Sequence, residues 1–375
     1  MNFDYNEEQQ LLADSVKRFI DKDYGFEARK KIVASEAGYS DSVWSTLAGM
    51  GLLGLPVPSA YDGFGGGAID MMGVMESIGE GLVVEPFLST VLAAQFVIRG
   101  GSPEMKKAVL PAVASGELKL AFAQTEQGAR YDLAHVATRA VKAGEGWVID
   151  GAKSVVLHGP CAGKLVVSAR TAGGDTAKTG ISLFLVDAKA PGITMKSYRT
   201  IDEMRAADIA FKGVKVGADA LIGKEGKGLA LIEAVADFGT ALVCAEAVGA
   251  MKSANDATLE YLKTRKQFGV PIGAFQALQH RMVDMVISYE QAKSMACLAC
   301  AKVDTEKKAA ERKRLVSAAK VRVSEACRHV SQDSIQLHGG MGMTEEMKVS
   351  HTFRRLTMIA QQFGDIDHHL ERFSG

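Results

Sequence analysis

Hydrophobic and polar positions divide this chain into three textures. In NEEQQLLADSVKRFIDKDY (6–24) apolar residues recur at i, i+3 and i+4 behind acids in the first turn, which predicts an amphipathic helix. SDSVWSTLAGMGLLGL (40–55) repeats the pattern behind a Ser/Asp cap. A Pro/Gly-rich break, PVPSAYDGFGGGAID (56–70), separates it from a further helical run, MMGVMESIGEGLVVE (71–85). An array of short helices is expected over 1–117.

From 118 to 222 the period changes to two. LKLAFAQT, HVATRAV, GWVIDGAKSVVL, KLVVSART, ISLFLVDA, ITMKSYRT and AADIAFKGVKV are short Val- and Ile-rich runs punctuated by KAGEG, TAGGD and APG turns. Seven such runs predict a β-barrel or sandwich. From 223 to 375 the 3.6-residue period returns in segments long enough for an antiparallel helix bundle. The fold class is therefore α+β: an N-terminal helical domain (1–117), a middle β-domain (118–222) and a C-terminal bundle (223–375).

Composition agrees with a globular chain, since 47% of its 375 residues are hydrophobic and 23% charged. Lys plus Arg and Asp plus Glu number 44 each, so no net field attracts nucleic acid or an anionic membrane. The start is acidic without an apolar h-region, and no apolar run reaches the ~18 residues of a membrane span. A cytoplasmic location is expected, and the five scattered cysteines read as reduced thiols.

Little standard chemistry is visible. Cys297 and Cys300 form a CxxC inside a helical run with no second pair to complete a zinc site, so they read as core residues. GFGGGAID and GKEGKG lack the strand, helix and ribose-binding acid of a dinucleotide fingerprint. No GxSxG elbow, P-loop or HExxH occurs.

Five words in order are more informative: GLLGLPVPSAYDGFGGG (51–67), AFAQTEQGARYD (121–132), GWVIDGAK (146–153), TRKQFGVPIGAFQALQHRMVDM (264–285) and QLHGGMGMT (336–344). Together with the domain order, they resemble the acyl-CoA dehydrogenase flavoproteins over essentially the whole chain. The resemblance implies FAD, its ring against the β-domain and its diphosphate and adenosine on a neighbouring subunit's bundle. Arg265 would then be the cation for the diphosphate, where a planar guanidinium meets two phosphate oxygens. Phe268 and Gln276 would line the same channel, and Gln336, Gly339 and Gly340 would let backbone approach the diphosphate without a Cβ. Gly339 also satisfies a helix C-cap. Phe122, Gln124 and Thr125 would meet the flavin edge.

The same comparison implies losses. Where the family usually continues TE-x-G-A with Ser-Asp, this chain has Tyr131-Asp132, and where it places a flavin-packing Trp and a Thr, this chain has Val155 and Leu157, followed by His158. The family's chemistry uses a carboxylate base to take the α-proton of an acyl-CoA while the β-hydrogen leaves as hydride to the flavin, and burial tunes that base. The two positions that carry it in family members are Phe363 and Gly239 here, so no base stands at either. Asp365 and Asp237 lie two residues away and are the available substitutes. His368 and His369 do not share a helix face with each other, so no metal site is expected.

The resemblance is closest to the small subunits of pimeloyl-CoA and steroid side-chain dehydrogenases. It implies one subunit of a hetero-oligomer, a heterotetramer, that pairs with a larger acyl-CoA dehydrogenase-like subunit and delivers electrons to an electron-transfer flavoprotein. A self-sufficient homotetramer with a displaced Asp base, a non-catalytic stabilising partner, and an oxygen-consuming flavin relative are the alternatives. Substrate is open among dicarboxylyl, steroid side-chain and long-chain acyl-CoA.

Overall fold

The computed structural model describes residues 5–375. They form two compact units: one from residues up to Lys31, Gly67–Val83 and Asp237–Gly375, the other from Ile32–Gly66 and Val84–Ala236. The N-terminal helices are α1 (Glu7–Asp23), α2 (Phe26–Ala34), α3 (Asp41–Gly49), α4 (Ala68–Gly81), α5 (Phe87–Gly100) and α6 (Pro103–Ala114). The strands are β1 (Leu120–Ala123), β2 (Arg139–Ala143), β3 (Gly146–Leu157), β4 (Lys164–Arg170), β5 (Ile181–Asp187), β6 (Ile193–Arg199), β7 (Arg205–Val216) and β8 (Leu221–Ile222). After them come α7 (Gly228–Thr264), the short β9 (Lys266–Gln267) and β10 (Val270–Pro271), α8 (Gln276–Val303), α9 (Ala309–His338), α10 (Lys348–Gln361) and α11 (Ile366–Ser374).

In the first unit, α1 starts where Asn6 accepts the Gln9 N–H at 2.8 Å and Gln9 accepts the Asn6 N–H at 3.0 Å. That reciprocal cap satisfies two orphan donors, and Val16 and Ile20 then bury one face of α1 against α4. α8, α10 and α11 each pack on α9, and Cys244, Cys300 and Cys327 are buried on α7, α8 and α9. Among the described residues α7 alone is long and apolar enough to cross a membrane, and 67% of its most apolar window is buried inside the protein. It is a core helix whose apolar length the eye misses because acids interrupt it.

In the second unit all seven expected strands form, with β8 added, in one sheet ordered β6-β7-β3-β2-β4-β5-β8 and β1 parallel to β4. Trp147, Ile149, Phe184 and Phe211 are buried together in the core of this unit. Trp147 meets Phe184 edge-on at 5.3 Å. Each such aromatic contributes roughly 2–3 kcal/mol by burial.

Candidate functional site

Elements of the first unit gather six of the sequence-derived residues at one end of the bundle. Arg265 terminates α7, its N–H on the Tyr261 carbonyl at 2.8 Å and its own carbonyl accepting from Ile272 at 2.8 Å. The β9–β10 hairpin follows, with both central residues at positive φ, Phe268 at 52° and Gly269 at 82°. That turn matches the twist of the strands and pushes Phe268 out until it is 90% exposed, edge-on to Phe275 at 6.2 Å. Gln276 opens α8 directly after.

The end of α9 reaches the same place. Thr258 and Ser334 share a hydroxyl hydrogen bond of 2.7 Å, and Tyr261 stacks on His338 at 4.4 Å. Gln336, Gly339 and Gly340 therefore stand beside the end of α7. Gly339 caps α9 at φ 61°, and a Cβ at Gly339 or Gly340 would meet nothing within 4 Å. All six side chains or backbones are exposed, and Arg265 has no acidic partner among the described residues. An anionic group from outside the chain fits this end: a free guanidinium, two amides and a backbone stripped of Cβ atoms.

On the second unit, Phe122 on β1 packs on Phe96 at 4.3 Å and is half-buried. Gln124 donates to the Leu133 carbonyl at 3.0 Å, while its buried Oε1 has no donor among the described residues. Thr125 is exposed and its carbonyl accepts the Ser154 N–H at 2.8 Å. Behind them lies a buried ion pair. Lys153, with no exposed surface, donates to Glu126 at 2.6 Å, Ser168 at 2.8 Å and the Gln124 carbonyl at 3.3 Å. Burial pulls the Lys153 ammonium down to about 8 against the pull of Glu126. Burial alone would raise Glu126, but Lys153 and the Ala137 and Thr138 donors outweigh it and hold the carboxyl below its usual value.

The strand that departs from the family pattern is bent. β3 slips register against β7 between Lys153 and Val156, and Val155 sits in that bulge at φ 53°, 46% exposed. Its N–H donates to Asp208 at 3.1 Å, which also accepts from Tyr198 at 2.9 Å. Leu157 packs with Val33, Val84 and Met204. His158 is buried, Nε2 donating to the Val84 carbonyl at 3.1 Å and Nδ1 accepting from Ser89 at 2.7 Å. These partners anchor the strand end.

Gly239 and Phe363, the residues expected at the family's base positions, both belong to the first unit. Gly239 is buried in α7. Phe363 sits in the α10–α11 turn at φ 62°, and Gly364 follows at φ 123°, where a Cβ would lie 2.4 Å from His368 and 2.8 Å from His369. Asp365 caps α11, accepting the His368 N–H at 2.9 Å. Asp237 is fully buried between Arg312, at 2.9 Å, and Arg372, at 2.5 Å. Ser317 joins Arg372, at 3.3 Å, to His369 Nδ1, at 3.1 Å, and His369 Nε2 donates to the Phe363 carbonyl at 3.1 Å. Burial, with Lys320 and Arg372 nearby, depresses His369 to about 2, so its ring is neutral. Lys320 donates from the core to the Ile359 and Ala360 carbonyls at 2.6 and 3.2 Å, closing the end of α10.

Sequence reasoning missed the Lys153–Glu126 pair and the Asp237–Arg312–Arg372 knot. The first had a signal, since alternation from Ile149 puts Lys153 on the inward face. The second had none, because its three members are scattered over α7, α9 and α11.

Comparison with known proteins follows the same outline. Models of the acyl-CoA dehydrogenase N-terminal, middle and C-terminal domains match residues 6–117, 121–214 and 226–372. The probable acyl-CoA dehydrogenase YngJ of Bacillus subtilis is 31% identical over 364 residues, covering 94% of this chain and 93% of YngJ. The ChsE4-ChsE5 complex from Mycobacterium tuberculosis superposes with TM-score 0.89 at 26% identity, over 100% of this chain and 98% of that one. The FAD complex of PigA gives TM-score 0.91 at 26% identity, over 100% and 98%. With three domain models in order and likeness along its whole length, this chain belongs to the acyl-CoA dehydrogenase family of FAD-dependent oxidoreductases.

Proposed function

We propose that this chain is one subunit of a hetero-oligomeric acyl-CoA dehydrogenase, lending its bundle end to FAD held with a second, base-bearing subunit. The observation that supports the reading is Phe363, the residue expected where family members carry the base, whose carbonyl accepts from His369. A phenyl ring accepts no proton. Asp237 is committed to two guanidinium groups and Asp365 to a helix cap, so neither acid is free for proton transfer without dismantling its surroundings. The likeness to a two-protein complex, ChsE4-ChsE5, supports the same reading.

FAD, when bound, supplies the two-electron acceptor for α,β-dehydrogenation of an acyl-CoA. Arg265 would hold its diphosphate with a guanidinium able to donate paired N–H groups, and Gln336, Gly339 and Gly340 would accommodate it by amide and backbone. Phe268, with Phe275 beside it, covers the channel and keeps water out. Phe122, Gln124 and Thr125 would be the β-domain residues that meet the flavin edge. A large acyl-CoA dehydrogenase-like subunit is the partner and an electron-transfer flavoprotein the electron acceptor, with the cytoplasm as the compartment. A steroid side-chain, dicarboxylyl or long-chain thioester is the substrate.

The test is expression with and without the large subunit. Alone, the chain is expected to be colourless and inactive; together, the pair is expected to carry flavin and bleach it with an acyl-CoA. A yellow, active homotetramer from this chain alone overturns the proposal. Arg265→Ala is expected to lower FAD affinity of the complex by about 30- to 100-fold, the loss of a bidentate charged contact worth roughly 2–3 kcal/mol. Unchanged FAD affinity would mean a stabilising partner only.

A further inference from the structure

Beyond the glycine pair that ends α9, residues Gly339–Met343 form a 3-10 turn. Its Gly342 is buried, and a Cβ there would lie 2.8 Å from the Ile335 carbonyl and 2.9 Å from His338 Cβ, so the turn is pressed onto the last turns of α9. Thr344 closes it, its N–H and its hydroxyl both donating to the Met341 carbonyl, at 3.1 and 2.9 Å. Ser350 holds the Thr344 carbonyl at 2.7 Å. With Gly342 fixed against the helix, its two neighbours stay outside: Met341 is 45% exposed and Met343 76%.

The other methionines are shielded. The chain has 16, and among the described residues Met341 and Met343 are the only exposed ones. Met71, Met75, Met251 and Met285 are wholly buried. Oxidation of a thioether follows its access to solvent, so the two accessible sulfurs of this chain stand in the same short word, QLHGGMGMT, as Gln336, Gly339 and Gly340.

We propose that Met341 and Met343 are an oxidation site that controls whether this end of the bundle can take up FAD. The inference rests on the proposed function, since it assigns a regulation to the same FAD-holding end. Hydrogen peroxide is the oxidant. Each thioether sulfur attacks one peroxide oxygen, an S–O bond forms as the O–O bond breaks, and the second oxygen leaves as water; the sulfur loses two electrons and the peroxide gains them. A flexible apolar side chain becomes a polar one whose oxygen carries partial negative charge. One and three residues past Gly340, such oxygens oppose the approach of a diphosphate. Reduction by methionine sulfoxide reductases, one for each epimer, removes them.

The test treats the full chain with hydrogen peroxide at neutral pH and maps sulfoxides by peptide mass spectrometry. Met341 and Met343 are expected to oxidise at least about tenfold faster than Met71, Met75, Met251 and Met285, with no fall in melting temperature. Assembled with the large subunit, the oxidised chain is expected to give a complex that binds FAD at least about tenfold more weakly, with recovery after treatment by both reductases. The double variant Met341→Leu, Met343→Leu should bind FAD equally before and after peroxide. Oxidation no faster than at the buried methionines, an equal loss in the leucine variant, or a loss that accompanies unfolding would each overturn the proposal. FAD bound within about twofold by the oxidised and untreated complexes overturns this inference alone, whereas an untreated complex that binds no FAD overturns the proposed function with it.

Discussion

Two ends of the same helical unit treat polar chemistry in opposite ways. Where α7 and α9 end, Arg265, Gln276 and Gln336 are exposed, Phe268 stands in solvent, and Gly339 and Gly340 face open space. Where α10 turns into α11, Asp237, Arg312, Arg372, Ser317, His369 and Lys320 are tied to one another or to carbonyls with almost nothing exposed. The open end has interactions still to make, and the closed end has used its own. On the proposed function, the open end is the cofactor grip and the closed end is where a base would be expected.

Breaking the closed end is expected to have the largest effect. Asp237→Ala leaves Arg312 and Arg372 buried without a counter-charge, which costs about 3–5 kcal/mol. A large fall in melting temperature of the purified chain checks this; a change under about 1 kcal/mol would mean the knot contributes little.

A glycine pair sharpens the contrast. Gly364→Ala drives a Cβ to 2.4 Å from His368 at φ 123°, so a loss of roughly 2–3 kcal/mol is expected in urea unfolding. Gly340→Ala meets open space and is expected to leave stability within about 0.5 kcal/mol. Its cost falls instead on FAD retention by the assembled complex. Equal stability losses at both positions would erase the distinction between the two ends.

Acid should unpick the closed end further. His369 is depressed to about 2 when folded, whereas an unfolded histidine titrates near ~6.5. Between those values the unfolded chain binds the extra proton, so stability is full above ~6.5 and falls as pH drops, by at most about 1.4 kcal/mol per pH unit for this group. His338 and His368, also depressed by burial, act in the same direction. Urea midpoints at pH 7 and 5 should therefore differ less in His369→Gln than in the parent chain.

Much of this was legible in advance, for uneven reasons. Periodicity announced the strands because alternation in runs such as GWVIDGAKSVVL is set by which residues face the sheet core, and β3 spans that run entirely. The open end was legible because its residues cluster in two short words. The closed end was not, since Asp237 meets Arg312 and Arg372 across sequence separations of 75 and 135 residues. The bulge at Val155 was also hidden, because a β-branched residue at positive φ follows from Asp208 and Tyr198 holding the backbone, against the residue's own preference.

The smallest expected effect is the most discriminating for the tail. Asp365 carries an acid two residues past Phe363, and its oxygen accepts the His368 N–H at 2.9 Å. As a cap alone, Asp365→Asn should be nearly silent, because asparagine caps as well as aspartate, while Asp365→Ala should cost about 1 kcal/mol. As a base, Asp365→Asn would stop flavin bleaching by an acyl-CoA in the assembled complex while leaving the melting temperature alone. Bleaching rates of the Asn variant within about twofold of the parent assign the residue to the helix, since removing a general base costs at least about 100-fold. On the proposed function, that result would assign the base to the large subunit.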